Sequence, residues 1–266
     1  MNAGGLPGFS VVIPARFAST RLPGKPLRLL AGVPLIVHVA RRALSMGAVQ
    51  VVLATDDTRI AAAVSGLDVC MVMTRADHAS GSDRLAECAM ACAWPEDHIV
   101  VNLQGDEPFV PVAGVHAVVA ALAQGDAAMA TLAVPIDAID ELFDPNVVKL
   151  VCDRSGHALY FSRAPVPWAR DALAHDRRSL PQNVPVLRHI GLYAYRAGFL
   201  RHFAQLEPTP LERAEALEQL RALEHGYRIS VALSVDEFPP GIDTEQDLAR
   251  AEAYLHACAA RTAPAG

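Results

Sequence analysis

The chain lacks an apolar run long enough to cross a membrane. Ala117–Ala123, one of its most apolar stretches, runs directly into Gln124, Gly125 and Asp126. A membrane span needs roughly 20 apolar residues, so a soluble protein is expected. The opening stretch MNAGGLPGF has neither the basic region nor the apolar run of a signal peptide. Cysteine is scarce and odd in number, with five at Cys70, Cys88, Cys92, Cys152 and Cys258. Scattered thiols without an export signal fit the reducing cytosol. Cys88 and Cys92, four apart in a helical stretch, read as small buried residues rather than a shared metal site. Positive charge is also short. Lys and Arg number 23 against 29 Asp and Glu, a net charge of −6, which argues against a non-specific nucleic-acid surface. There is no internal repeat and no low-complexity segment. Neither G-x-G-x-x-G nor a Walker A loop follows the first apolar strand, which argues against an NAD-dependent oxidoreductase. No nucleophile–base pair suggests a covalent intermediate.

The length, 266 residues, suits one large domain or a core with a smaller insertion. The first half alternates. Phe9–Pro14, Val49–Thr55, Val69–Met73 and His98–Leu103 read as strands, and Pro34–Met46, Asp57–Val64 and Ser82–Cys92 as helices. Near-continuous Val, Ile and Leu in such strands indicates a parallel sheet covered on both faces. Ligands bind beyond the carboxyl ends of the strands in these folds. In the second half Lys149–Asp153 and Ala158–Ser162 read as a hairpin. Arg188–Arg196 and Arg228–Val235 read as strands, and Pro210–His225 and Thr244–Cys258 as helices. Trp168–Pro185 is expected to be an exposed irregular loop, and the tail from Ala259 to be frayed.

Three stretches carry candidate chemistry. The loop PARFASTRLPGKPL, Pro14–Leu27, holds Arg16, Arg21 and Lys25 with no carboxylate among them. It follows a strand and precedes a helix, where phosphates are bound. Ser19, Thr20 and Gly24 can bring backbone N–H groups close, and Pro23 and Pro26 stiffen the loop. Three cations without an anion would repel one another, so a polyphosphate is the expected occupant. The second stretch is Gln104-Gly105-Asp106-Glu107-Pro108, after a strand end. It is either an acidic turn or a site where Asp106 holds Mg²⁺, which takes one or two carboxylates plus phosphate oxygens and waters. The third surrounds Asp243. Either Asp243 caps the last helix, or Thr244 with Asp247 does so in a capping-box manner, leaving Asp243 as a second metal ligand. Thr74–Arg84, with Ser82 and Arg84, suits contact with a nucleotide. Along Arg188–Arg196, period two puts His189, Gly191, Tyr193 and Tyr195 on one face, a polar floor for a small ligand.

Taken together, VVIPARFASTRLPGKPL, TRADHASGSDRLAE, VNLQGDEP, MATLAVPI, ALYFSRAPVPW, RHIGLYAYRAGF, LERAEALEQLRAL and GIDTEQDL resemble the 3-deoxy-manno-octulosonate (Kdo) cytidylyltransferases, in order and over nearly the whole chain. The resemblance implies an α/β fold: a doubly wound, mostly parallel, Rossmann-like nucleotidyltransferase sheet with a smaller α+β part for sugar binding and dimerisation. The nucleotide core would span residues 1–136, the sugar and dimer part 137–235, and residues 236–266 would return to the core. It implies the reaction of CTP with Kdo to CMP-Kdo and pyrophosphate, with Mg²⁺, in a cytoplasmic homodimer without membrane or nucleic-acid partners. Arg16, Ser19, Arg21 and Lys25 would bind the triphosphate, with Ser82, Arg84 and Gln104 around the nucleotide. Asp106 and Asp243 would hold Mg²⁺. Arg21, Lys25, Asp106 and Asp243 would be the catalytic set. Arg163, His189, Tyr193, Glu218 and Gln219 would line the sugar site, the last two lying off the leucine stripe of their helix. A CMP-sialic acid synthetase, sharing the opening motif, and a nucleotide sensor without turnover are the alternatives.

Overall fold

A computed structural model describes residues 5–19, 21–78 and 80–262. The backbone contribution expected of Thr20, the side chain of Cys258 and tail residues 263–266 lie outside the described residues. In chain order the strands are β1 (Phe9–Ala15), β2 (Leu29–Leu30), β3 (Val33–Pro34), β4 (Gln50–Thr55), β5 (Cys70–Met73), β6 (Ile99–Asn102), β7 (Met129–Pro135), β8 (Lys149–Cys152), β9 (Ala158–Ser162), β10 (Leu187–Arg196) and β11 (Ile229–Leu233). The helices are α1 (Leu35–Leu44), α2 (Thr58–Ala63), α3 (Gly81–Ala91), α4 (Val112–Gln124), α5 (Ile139–Phe143), α6 (Arg170–His175), α7 (Ala197–Phe203), α8 (Pro210–Glu215), α9 (Gln219–Glu224) and α10 (Glu245–Thr262).

The chain forms two compact units. The first comprises Phe9–Ala93, Asn102–Val112 and the chain from Phe238 onward. Here β1 pairs in parallel with β4, Val11 opposite Val51, and β4 pairs in parallel with β5. All seven residues of β1 are buried, as expected of a strand covered on both faces. Helices α1 and α3 pack on β1 and β4. Leu22, Leu30, Leu35, Ile242, Leu248 and Ala251 share one apolar cluster. Leu22 and Ile242 are each at most 1% exposed, and burying such a side chain contributes roughly 1.5–3 kcal/mol. Their sequence neighbours Arg21 and Asp243 are thereby brought together from opposite ends of the chain.

The second unit contains Trp94–Val101 and Ala113–Glu237. β7 is paired in parallel with β11 and antiparallel with β10, and β10–β8 and β8–β9 are antiparallel. The α/β class read from the sequence is therefore what the structure has, with parallel pairing in the first unit and largely antiparallel pairing in the second. The sequence reading runs the core to residue 136. In the structure α4 and β7 group with the second unit, and the return begins at Phe238.

Two local expectations are corrected. Pro210–His225 is two helices, because Ala216 takes a left-handed conformation at φ 51° between α8 and α9. Trp168–Pro185 contains α6, anchored by the buried Leu173 in a small cluster with Ile136, Leu142 and Val186.

A Cβ at Gly105 would stand 2.9 Å from the Pro14 carbonyl oxygen, so only glycine lets this loop lie against the end of β1. Gly105→Ala is expected to lower stability by about 1–3 kcal/mol, as overpacking against a fixed backbone does. Urea denaturation checks this.

Candidate active site

The first unit holds a cleft of about 380 Å³ beyond the end of β1, between the basic loop, the start of α3 and the turn at Gly105. Arg16, Ser19, Arg21, Lys25, Arg84, Gln104, Asp106 and Asp243 all line it. Of the residues assigned to the nucleotide and metal, only Ser82 does not. It is buried in the first turn of α3, and the wall is made instead by Ser80 and Gly81. Ser80 is the N-cap, its Oγ accepting from Asp83 N while Asp83 accepts from Ser80 N. The S-x-x-D pattern that starts at Ser80 marks this helix start in the sequence.

The basic loop is fixed from below. Gly24 adopts φ 64° ahead of a single turn of tighter helix, Lys25–Leu27, with Pro26 in its first turn. The Phe17 ring abuts Gly24, at 3.2 Å from where a Cβ would be, and carries the Arg59 guanidinium 3.7 Å above its centroid. Arg59 is held by a two-pronged pair with Asp57. A cation over an aromatic face is attracted by its quadrupole, so the stack clamps the loop to the start of α2.

The loop contains no carboxylate, yet the fold supplies two. The Lys25 ammonium donates to Asp106 and, at 3.0 Å, to Asp243. Arg21 lies 2.8 Å from the other oxygen of Asp243. Burial works against the Lys25 charge, but the two carboxylates outweigh it and hold its pKa above the ordinary lysine value. The alternative left open for Asp243 is resolved. Asp247 accepts from Asp243 N, Thr244 N and Thr244 Oγ1, and donates its own N–H to Thr244 Oγ1. Thr244 therefore caps the helix start, and the Asp243 carboxylate faces the cations. Ile242 N donates to Asp106 O at 2.9 Å, which couples the two acidic segments through backbone. Burial, then the adjacent Asp106 charge, pushes Glu107 up to about 8.

The cleft also takes in His78, which the sequence reading does not single out. Its Nε2 is hydrogen-bonded to Glu87. Arg84 is 3% exposed and donates to Asp56 at 3.0 Å and to Thr74. One edge of its guanidinium is thus committed to the protein. Cys88 is buried, its thiol pushed up to about 12 by burial, in keeping with a packing role.

The residues assigned to the sugar all lie in the second unit. His189 and Tyr193 are on β10, with ring centroids 5.4 Å apart, and Tyr195 follows at 5.7 Å from Tyr193. The face survives a shift in strand register between Ile190 and Tyr193. Phe161 meets His189 edge-on at 5.1 Å, and Thr131 Oγ1 lies 3.0 Å from His189 Nε2. Burial lowers the His189 pKa to about 3, so the ring is neutral at pH 7. Burial, and after it the nearby Tyr195 and Glu218, raise Tyr193 well above its usual value. Arg163 stands just beyond β9. Its Nε donates to Glu215 O at 2.7 Å and its Nη1 to Pro145 O at 2.9 Å. Glu218 and Gln219 do not lie on the exposed face of a long helix. They sit where α9 starts after the break, and Gln219 is buried with its Nε2 lacking a hydrogen-bond partner among the described residues. A buried amide donor without a partner is costly, so it is available to a ligand.

Comparison with known proteins agrees with this geometry. A family model described as cytidylyltransferase matches residues 10–229. A curated protein from Stenotrophomonas maltophilia (strain K279a), named 3-deoxy-manno-octulosonate cytidylyltransferase, is 60% identical over 95% of this chain and 99% of its own. One of the same name from Xylella fastidiosa (strain Temecula1) is 60% identical over 93% of this chain and 98% of its own. A solved structure of a CMP:2-keto-3-deoxy-manno-octonic acid synthetase complexed with CTP superposes with a TM-score of 0.84. It has 38% identity and covers 94% of this chain and 99% of its own. With the cleft and the family model agreeing over most of its length, the chain belongs to the cytidylyltransferase family, among the 3-deoxy-manno-octulosonate cytidylyltransferases.

Proposed function

We propose that the protein transfers the cytidylyl group of CTP to the anomeric hydroxyl of Kdo, releasing CMP-Kdo and pyrophosphate for lipopolysaccharide assembly. The observation that carries the reading is the Lys25 ammonium shared by Asp106 and Asp243 in a basic cleft. Two carboxylates able to converge on one ammonium can converge on one metal ion. Mg²⁺ needs no more protein ligands than these when phosphate oxygens and waters complete its shell. Asp106 and Asp243 would hold it, and when bound it would neutralise phosphate charge and acidify the incoming hydroxyl.

The chain's own residues do the rest. Arg16, Ser19 and Arg21 receive the triphosphate, and Lys25 stabilises the charge that builds on the leaving pyrophosphate. Arg84 and Gln104 border the nucleotide. The anomeric hydroxyl attacks the α-phosphorus in line, so positioning of two anions is the main requirement. Neutral His189 offers the sugar a hydrogen bond without adding charge, and Tyr193, Glu218, Gln219 and Arg163 complete the acceptor set. The reading includes a cytoplasmic location and a homodimer. Leu159 on β9 and Leu233 on β11, 61% and 65% exposed, are suited to an interface between copies.

Pyrophosphate release should require CTP, Kdo and Mg²⁺ together. Turnover with sialic acid in place of Kdo, or nucleotide binding with no turnover, would overturn the reading. Asp106→Asn and Asp243→Asn should each lower kcat by about two orders of magnitude or more, as loss of a principal electrostatic element does. Near-normal turnover would remove them from the metal site. The His189 ring resonances in NMR should not titrate between pH 8 and pH 5, because its pKa is held near 3 by burial. A shift with a midpoint near pH 6.5 would show an open, solvated ring.

A further inference from the structure

Lys149, on β8, is fully buried. Its ammonium donates to three backbone carbonyls, Asp144 O at 2.8 Å, Val147 O at 2.6 Å and Arg163 O at 2.6 Å. An ammonium has three donors and no acceptor, so every donor is used and the charged form is the one this cage fits. Among the described residues no carboxylate forms an ion pair with it. Burial lowers its pKa, opposed by the Asp144 and Glu215 charges only from a distance, so enclosing the cation is costly. Filling the same space with a methionine would avoid that cost, so the charge calls for an explanation beyond packing.

The surroundings provide one. The Lys149 cage joins the segments that carry two of the acceptor residues. Arg163 gives Lys149 its carbonyl, while its own N–H goes to Glu215 Oε2 at 2.9 Å. Its guanidinium Nη1 lands on Pro145 O, inside the turn whose flanking carbonyls Lys149 also grips. Lys149 thus sets both the backbone that bears Arg163 and the turn that receives its side chain. His189 is tied to the residue just before β8, its N–H donating to Val148 O at 2.8 Å, with Arg188 opposite Lys149 in the ladder.

We propose that Lys149 is a positioning residue for the acceptor sugar, a buried cation that holds Arg163 in place to meet the acceptor's carboxylate. This rests on the assignment of Arg163 and His189 to sugar binding.

The test is Lys149→Met, with kinetics in both substrates and thermal melting as the folding check. The KM for Kdo should rise about tenfold or more, with the KM for CTP unchanged and kcat within about threefold, the pattern of lost ground-state binding at one subsite. Discrimination between Kdo and its carboxamide should shrink in the variant, which a purely structural defect would not cause. Glu215→Gln, which weakens the other grip on Arg163, is the second variant should Lys149→Met fail to fold, and should raise the same KM selectively. A Kdo KM unchanged, or raised together with that for CTP, overturns the proposal. Wild-type protein that does not turn over Kdo at all overturns the functional reading and this proposal with it.

Discussion

The first unit depends on one ammonium between two carboxylates. Lys25, with 17% of its side chain exposed, reaches Asp106 and Asp243, whereas the Arg21 side chain is 66% exposed. At 4 Å an ion pair is worth on the order of 4 kcal/mol at an effective dielectric of 20, against about 1 in bulk water. The shielded Lys25 contacts therefore outweigh the Arg21 contact. Around them the Leu22–Ile242 packing and the Ile242–Asp106 backbone bond hold the geometry. The basic loop is not left with bare charges. Arg21 and Lys25 are balanced by acids from distant segments, and in the proposed reaction the triphosphate claims them.

The second unit solves the opposite problem. The residues proposed for the acceptor are tied to the protein by its own groups: His189 to Thr131, Arg163 to Glu215 and the turn at Pro145. Such preorganisation moves the entropic cost of ordering side chains from binding to folding. The break at Ala216 serves the same end. It puts Glu215 under Arg163 and starts a new helix at Gln219, so that neighbouring residues face different tasks.

Much of the fold was legible in the sequence. Strands read as apolar runs: β1, β4 and β6 are buried as that pattern implies, whereas β5, equally apolar, is largely exposed. The α8–α9 break was not legible, because leucines at 211, 217, 220 and 223 suggest one continuous helix and Ala216 carries no glycine or proline signal. α6 was missed because six residues with one buried leucine are too few to show a period. In the cleft, the cations and carboxylates were legible as residue types at strand ends. Their pairing was not, since Lys25 is 81 residues from Asp106 and 218 from Asp243, and only tertiary packing brings them together.

The central claim is that Asp106 and Asp243 are neutralised by Lys25 and Arg21 until the nucleotide draws those cations to its phosphates, so that a divalent ion enters with the nucleotide. Binding of Mn²⁺, followed by electron paramagnetic resonance, tests it directly. The account predicts weak binding to the protein alone and binding at least about tenfold tighter with a non-hydrolysable CTP analogue, the scale of an ordinary coupling between two ligands. Equal affinity, after correction for Mn²⁺ held by the analogue in solution, would contradict it.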